Sequence, residues 1–148
     1  MILPFEHNYT IGVVSEMFHV TPETIRLYEK EGLILPKRSK SGQRRYSELD
    51  VAWISCIRKL ITEDKLNLAG IRHLLALIPC WEMKPCSELE RSTCAAYHQN
   101  DQPCWNLKQK SISCEEAECY QCSVYHSARR VADIKDFIAL HIKNISNK

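Results

Sequence analysis

Seven of the eight cysteines fall between residues 80 and 122, and a histidine follows at 126. Their order is Cys80-x5-Cys86-x7-Cys94-x9-Cys104-x9-Cys114-x4-Cys119-x2-Cys122-x3-His126. Soft thiolates select zinc, Cu(I) or iron–sulfur clusters over hard cations. The two residues between Cys119 and Cys122 let both sulfurs face one ion, so this pair is a local clamp whose partners come from farther along the chain. Seven thiols and one imidazole make eight candidate donors. Two tetrahedral zinc sites use eight ligands, and a four-iron cluster uses four. The odd number of thiols argues against complete disulfide pairing.

Residues 80–126 hold few aliphatic side chains. A segment this small is close to the roughly 40-residue limit below which metals or disulfides usually replace a core. A metal there could therefore serve structure alone, and redox thiols without metal are the other reading. Trp81 and Trp105 each follow a cysteine and read as packing lids beside the site.

The thiols divide the chain. Residues 1–79 contain only Cys56, on the apolar face of a helix, and residues 127–148 contain none. No apolar run reaches the roughly 20 residues that span a bilayer, and the N-terminus lacks the pattern of a signal peptide. The expectation is a cytoplasmic protein with reduced thiols. Net charge is only +2, but "KRSKSGQRR" (residues 37–45) carries five basic residues and no acidic one. That spot can meet phosphates.

The elements ahead of the cysteines read as short helices. Thr10 caps one, and Thr21 followed by Pro22 opens a second that stops at Gly32. Two such helices with a tight connection form a helix-turn-helix. The broken, basic stretch after Gly32 predicts a hairpin with strands near 33–35 and 44–46. Ser47 with Asp50 opens a third helix as a capping-box variant, and Asn67 opens a fourth that ends before Pro79. Residues 127–146 predict an amphipathic helix with Val131, Ile134, Ile138 and Ile145 on a heptad seam. That face either packs on the cysteine-rich region or pairs two chains.

The run "TPETIRLYEKEGLI", the basic stretch ending "RRY" and the following "DV" resemble the head of the mercury-resistance-regulator (MerR) family over residues 8–78. "LNLAGIRHLL" and "IGVVSEMF" are most similar to its heat-shock-repressor-like (HspR-like) branch. "CWEMKPC", "CAAY", "PCW" and "CYQCSVYH" resemble the small two-CW cysteine-rich module.

The resemblance implies a mainly α protein. It has a winged helix-turn-helix domain (1–79) and a small cysteine-rich module (80–126); thiol chemistry makes that module a metal-binding sensor, and the C-terminal helix (127–148), a departure from the family's plan, is the candidate for dimerisation. It implies a homodimeric, non-enzymatic transcription regulator on double-stranded promoter DNA, with RNA polymerase a candidate partner there and no membrane contact. The first turn of the second helix offers Thr21, Glu23 and Thr24 to the major groove, with Arg26 reaching a base or phosphate and Tyr28 a phosphate. Lys37, Arg38, Arg44, Arg45 and Tyr46 would grip flanking phosphates. The expected cofactor is a thiolate-bound metal centre, an iron–sulfur cluster in preference to zinc. The ligand cysteines of metal-sensing and cluster-bearing MerR proteins do not match this spacing. The other readings are an architectural DNA binder with structural zinc and a thiol-redox protein tethered to DNA. "PCWEMKPC" stands where the family's dimer helix normally begins.

Overall fold

The computed structural model describes residues 6–84, 86–99, 101–107, 114, 118–133, 135–136 and 138–139. Helix α1 (Ile11–Met17) starts where the Thr10 side chain accepts a hydrogen bond from Val13 N at 3.3 Å. It ends at His19, which takes φ 53° so that Val20 N can reach Ser15 O at 3.0 Å. Helix α2 (Pro22–Lys30) starts on the Thr21 hydroxyl, with Pro22 at its first position. Its end is a glycine cap: Gly32 has φ 75°, Gly32 N bonds Glu29 O at 2.9 Å, and Leu33 N bonds Tyr28 O at 2.8 Å. This double return closes the orphan carbonyls and needs a residue with no side chain at its centre.

A three-stranded antiparallel sheet follows, ordered β1 (Tyr9–Thr10), β3 (Arg44–Tyr46), β2 (Lys37–Arg38). Thr10 stands opposite Arg45, and Lys37 stands opposite Arg45 on the other side. The outer wing strand lies at Lys37–Arg38, later than the 33–35 expected from the sequence. The reason is burial. Leu33 and Ile34 are consecutive and both fully buried, whereas a strand with one solvated face alternates. Residues 33–35 are a core-bound connector between α2 and the wing.

Helix α3 (Glu48–Thr62) carries the full reciprocal capping box of Ser47 and Asp50, and α4 (Leu68–Ala76) is capped by Asn67. Trp53, Ile54, Ile57, Ile71 and Leu75 form the centre of the core with Ile25 and Leu33. Cys56 is half-buried against it, and burial raises its thiol pKa.

The cysteine-rich half is built of single turns: α5 (Cys80–Met83), α6 (Glu88–Thr93), α7 (Ala95–His98), α8 (Ser123–His126), and 3₁₀ turns at Cys104–Asn106 and Cys119–Gln121. It has no separate apolar centre among the described residues. Trp105, Val124, Tyr125, Ala128 and Val131 join the core of the head. The segment expected to open the last helix is a 3₁₀ turn at Ala128–Ala132, whose Ala128 and Val131 are buried in that shared core. Residues 134, 137 and 140–148 of the expected pairing helix lie outside the described residues.

Candidate nucleic-acid interface and metal centre

The first turn of α2 presents Thr21 and Glu23 to solvent, with Thr24 half-buried behind them. Thr21 Oγ1 serves as the helix cap and lies 3.2 Å from Thr24 Oγ1. Arg26 is exposed and pairs with Glu23 at 3.0 Å. Such a pair is weak in water, so the guanidinium is available to a base or phosphate at little cost. Thr10, Arg26, Gln43 and Arg44 share one open groove between the helices and the wing.

The wing is braced from beneath. Arg38 Nη2 lies 3.3 Å from Glu29, Arg44 Nε bonds the other oxygen of Glu29, and Arg38 Nη1 donates to Gly42 O at 3.0 Å. One carboxylate on α2 therefore sets the angle of two wing arginines. Arg45 Nη2 reaches Gln43 at 3.4 Å. The Lys37 ammonium sits 5.9 Å from the centre of the Tyr120 ring.

Two expected phosphate contacts point elsewhere. Tyr28 is buried, and its hydroxyl accepts from Arg58 Nη1 at 3.3 Å. Tyr46 is fully buried and its hydroxyl has no partner. Burial, with Glu29 adding, pushes its phenol pKa far up. Both rings serve the core, since each lies on the inner face of its element.

The cysteines sort into two groups. Cys80, Cys104, Cys114, Cys119 and Cys122 line one largely closed cavity of about 20 Å³, together with Lys84, Trp105, Val124 and Tyr125. Cys86, Cys94 and His126 do not line it. Cys94 is buried at the start of α7, Cys86 O accepts from Arg91 at 3.3 Å, and His126 Nε2 lies 2.8 Å from Tyr120 O. Lys84 is the one amine on the wall and suits an anionic thiolate centre. Cys104 shares its proton with Cys80. That hydrogen bond holds the Cys80 thiol down to about 7 against the opposing effect of burial, and it drives Cys104 strongly upward.

Cys56, Cys80, Cys94, Cys104 and Cys122 carry free thiols. Among the described residues, no group of three His, Cys, Asp or Glu side chains is placed to hold a metal ion. Of the two expected lids, Trp105 lines the cavity, while Trp81 packs edge-on against Tyr97 at 5.1 Å.

Two residues of the cavity wall also hold the connector between α2 and the wing. Trp105 Nε1 donates to Gly32 O at 2.7 Å. The Tyr125 hydroxyl accepts from Leu35 N at 2.9 Å and donates to Asp50 Oδ1 at 2.8 Å. Burial and the Asp50 charge push the Tyr125 phenol well above its ordinary range, so it stays a donor. From the other side Trp53 Nε1 donates to Leu33 O at 2.7 Å. Asp50 also accepts from Ser47 N at 2.8 Å and lies 3.7 Å from His7. The capping pattern made Asp50 visible in the sequence, but its partnership with Tyr125 spans 75 residues and has no local signal.

Residues 9–78 match the profile described as "MerR HTH family regulatory protein". Over 69 residues the chain is 33% identical to the Streptomyces coelicolor protein named "Putative heat shock protein HspR", covering 47% of this chain and 46% of that one. It is 36% identical over 81 residues to the HTH-type transcriptional regulator ZntR of Escherichia coli, covering 54% of this chain and 57% of that one. It is 47% identical over 49 residues to the HTH-type transcriptional regulator AdhR of Bacillus subtilis, covering 32% and 35%. The chain spans about half the length of the curated relatives it matches. With its capped α1 and α2 and its braced wing, the segment 9–78 is similar in sequence to the helix-turn-helix head of the MerR regulators.

Proposed function

We propose that the chain is a sequence-specific transcription regulator that binds double-stranded promoter DNA and senses metal or redox state through the thiol cavity. The supporting observation is the convergence of five thiols, drawn from residues 80 to 122, on one cavity against the reading head. Thr21, Glu23, Thr24 and Arg26 would enter the major groove, and Lys37, Arg38, Arg44 and Arg45 would hold phosphates. Cys80, Cys104, Cys114, Cys119 and Cys122 would hold the metal centre, with Lys84 balancing its charge.

An iron–sulfur cluster is favoured over zinc. The support is the donor set: the wall offers sulfur and no imidazole, and thiolates are the ligands of such clusters. The free thiols of Cys56, Cys80, Cys94, Cys104 and Cys122 suit a reducing cytoplasm. No described helix is long and apolar enough to cross a membrane. The head's relatives are named as regulators, which supports a non-enzymatic role. The protein would act as a homodimer, and RNA polymerase would be met at the promoter.

The test is anaerobic purification of the full chain, followed by visible absorption, iron, sulfide and zinc analysis, and selection of duplexes from a random pool. A coloured protein with matched iron and sulfide and an enriched duplex supports the proposal. Colourless protein with stoichiometric zinc replaces the cluster by a zinc site, and failure to enrich any duplex removes the DNA assignment.

A further inference from the structure

We propose that Trp105 and Tyr125 are positioning residues that carry the state of the thiol cavity to the α2–wing connector within a single chain. This rests on the reading of the cavity as a thiolate site and adds its route of regulation. Three observations carry it. First, both side chains lie on the cavity wall and both hold connector backbone: Trp105 at Gly32 O and Tyr125 at Leu35 N. Second, they pack edge-to-face, with ring centres 5.2 Å apart and planes at 81°, so displacement of one displaces the other. Third, each is tied in sequence to cavity thiols: Trp105 follows Cys104, and Tyr125 lies in the helix that opens after Cys122.

The connector is held on all sides. Asn106 sits so close over Gly32 that a Cβ there would lie 1.5 Å from its side-chain nitrogen. Gly32 ends α2, and two residues after Leu35 the wing begins. A shift of either ring therefore changes the angle between the groove-reading helix and the wing. The Cys119–Cys122 clamp has a second contact with the wing, because Tyr120 lies under Lys37. Drawing the thiols inward or letting them spread moves Cys104 and Cys122, and the rings move with them. Closely packed interiors respond to such shifts by stepping between discrete arrangements.

The experiment uses the full chain, an operator duplex selected by the wild-type protein, and cadmium ion as the cavity probe. Cadmium uptake is followed by thiolate charge-transfer absorption, operator affinity by titration at fixed salt, and connector motion by amide exchange at residues 33–35. In wild type, cadmium should change operator affinity by about 5-fold or more, and operator DNA should change cadmium affinity by the same factor. Exchange of the Leu35 amide should change with it. Y125F and W105F should still take up cadmium while that factor falls to about 2-fold or less.

Cadmium uptake in wild type with unchanged operator affinity and unchanged exchange overturns the proposal. So does a wild-type factor retained in a cadmium-loaded Y125F. Absence of cadmium uptake defeats the metal reading separately. Capping the thiols with iodoacetamide then decides the relay: a changed operator affinity in wild type but not in Y125F supports it, and an unchanged one overturns it.

Discussion

The Tyr125 hydroxyl donates to Asp50 Oδ1 at 2.8 Å, joining the last turn of the cysteine-rich half to the capping box of α3. Both groups are buried. Removing the Tyr125 hydroxyl takes the donor from Asp50 Oδ1 and the acceptor from Leu35 N, and a buried polar group left unpaired typically costs about 1–3 kcal/mol. Y125F and D50A should each lower unfolding free energy by at least about that amount, and the double variant should lose less than their sum. Denaturant titration of the four proteins checks this. Additive losses would mean the bond contributes no coupling.

Gly32 is constrained twice. Its φ of 75° disfavours any side chain, and Asn106 fills the space a Cβ would take. A left-handed conformation costs a non-glycine residue about 1–2 kcal/mol, and displacement of Asn106 adds to that. G32A should lower the melting temperature by more than the roughly 2–4 °C expected for each kcal/mol at this size. Combining it with N106A should recover the contact part and leave the conformational part.

Cys80 is held to about 7 by the hydrogen bond from Cys104. In reduced, metal-free protein its iodoacetamide reactivity should therefore rise through about pH 7 as the thiolate forms. With C104A the donor is gone while burial remains, so the midpoint should move up. Mass spectrometry of modified peptides across pH measures it. An unchanged midpoint in C104A would show that Cys104 does not set the reactivity of Cys80.

Arg26 and Arg45 should fail differently. Arg45 lies in β3 of the wing and under the proposed reading would meet phosphate, so R45A should weaken binding to all duplexes alike and reduce the salt slope by about 0.9. Arg26 lies past the first turn of α2 over the open groove. R26A should cost about 1–3 kcal/mol on the selected duplex and relax preference at one position. Titrations at several salt concentrations on selected and scrambled duplexes separate the two.

The helix starts were legible because each is a local signal: Thr10, Thr21 with Pro22, Ser47 with Asp50, and Asn67 all cap where their side chains can reach. The wing strand was misplaced because Leu33 and Ile34 are buried by partners that include the distant Trp105 and Tyr125. The inward packing of the Tyr28 ring was legible from its place on α2, whereas the full burial of Tyr46 was not, because nothing near it in sequence reveals which face is covered. The thiol spacing gave the donors but not their grouping. Cys86 and Cys94 sit in the same run as Cys80 and Cys104, and only tertiary folding leaves the first two off the cavity wall.

The central claim is that the cavity thiols govern DNA binding. It is tested most directly by comparing the operator affinity of anaerobically purified full chain with that of the same chain stripped by a chelator, at one salt concentration. The account predicts a difference of about 5-fold or more, abolished when Cys119 and Cys122 are both replaced by alanine and retained when Cys86 and Cys94 are. Equal affinities before and after stripping would contradict it.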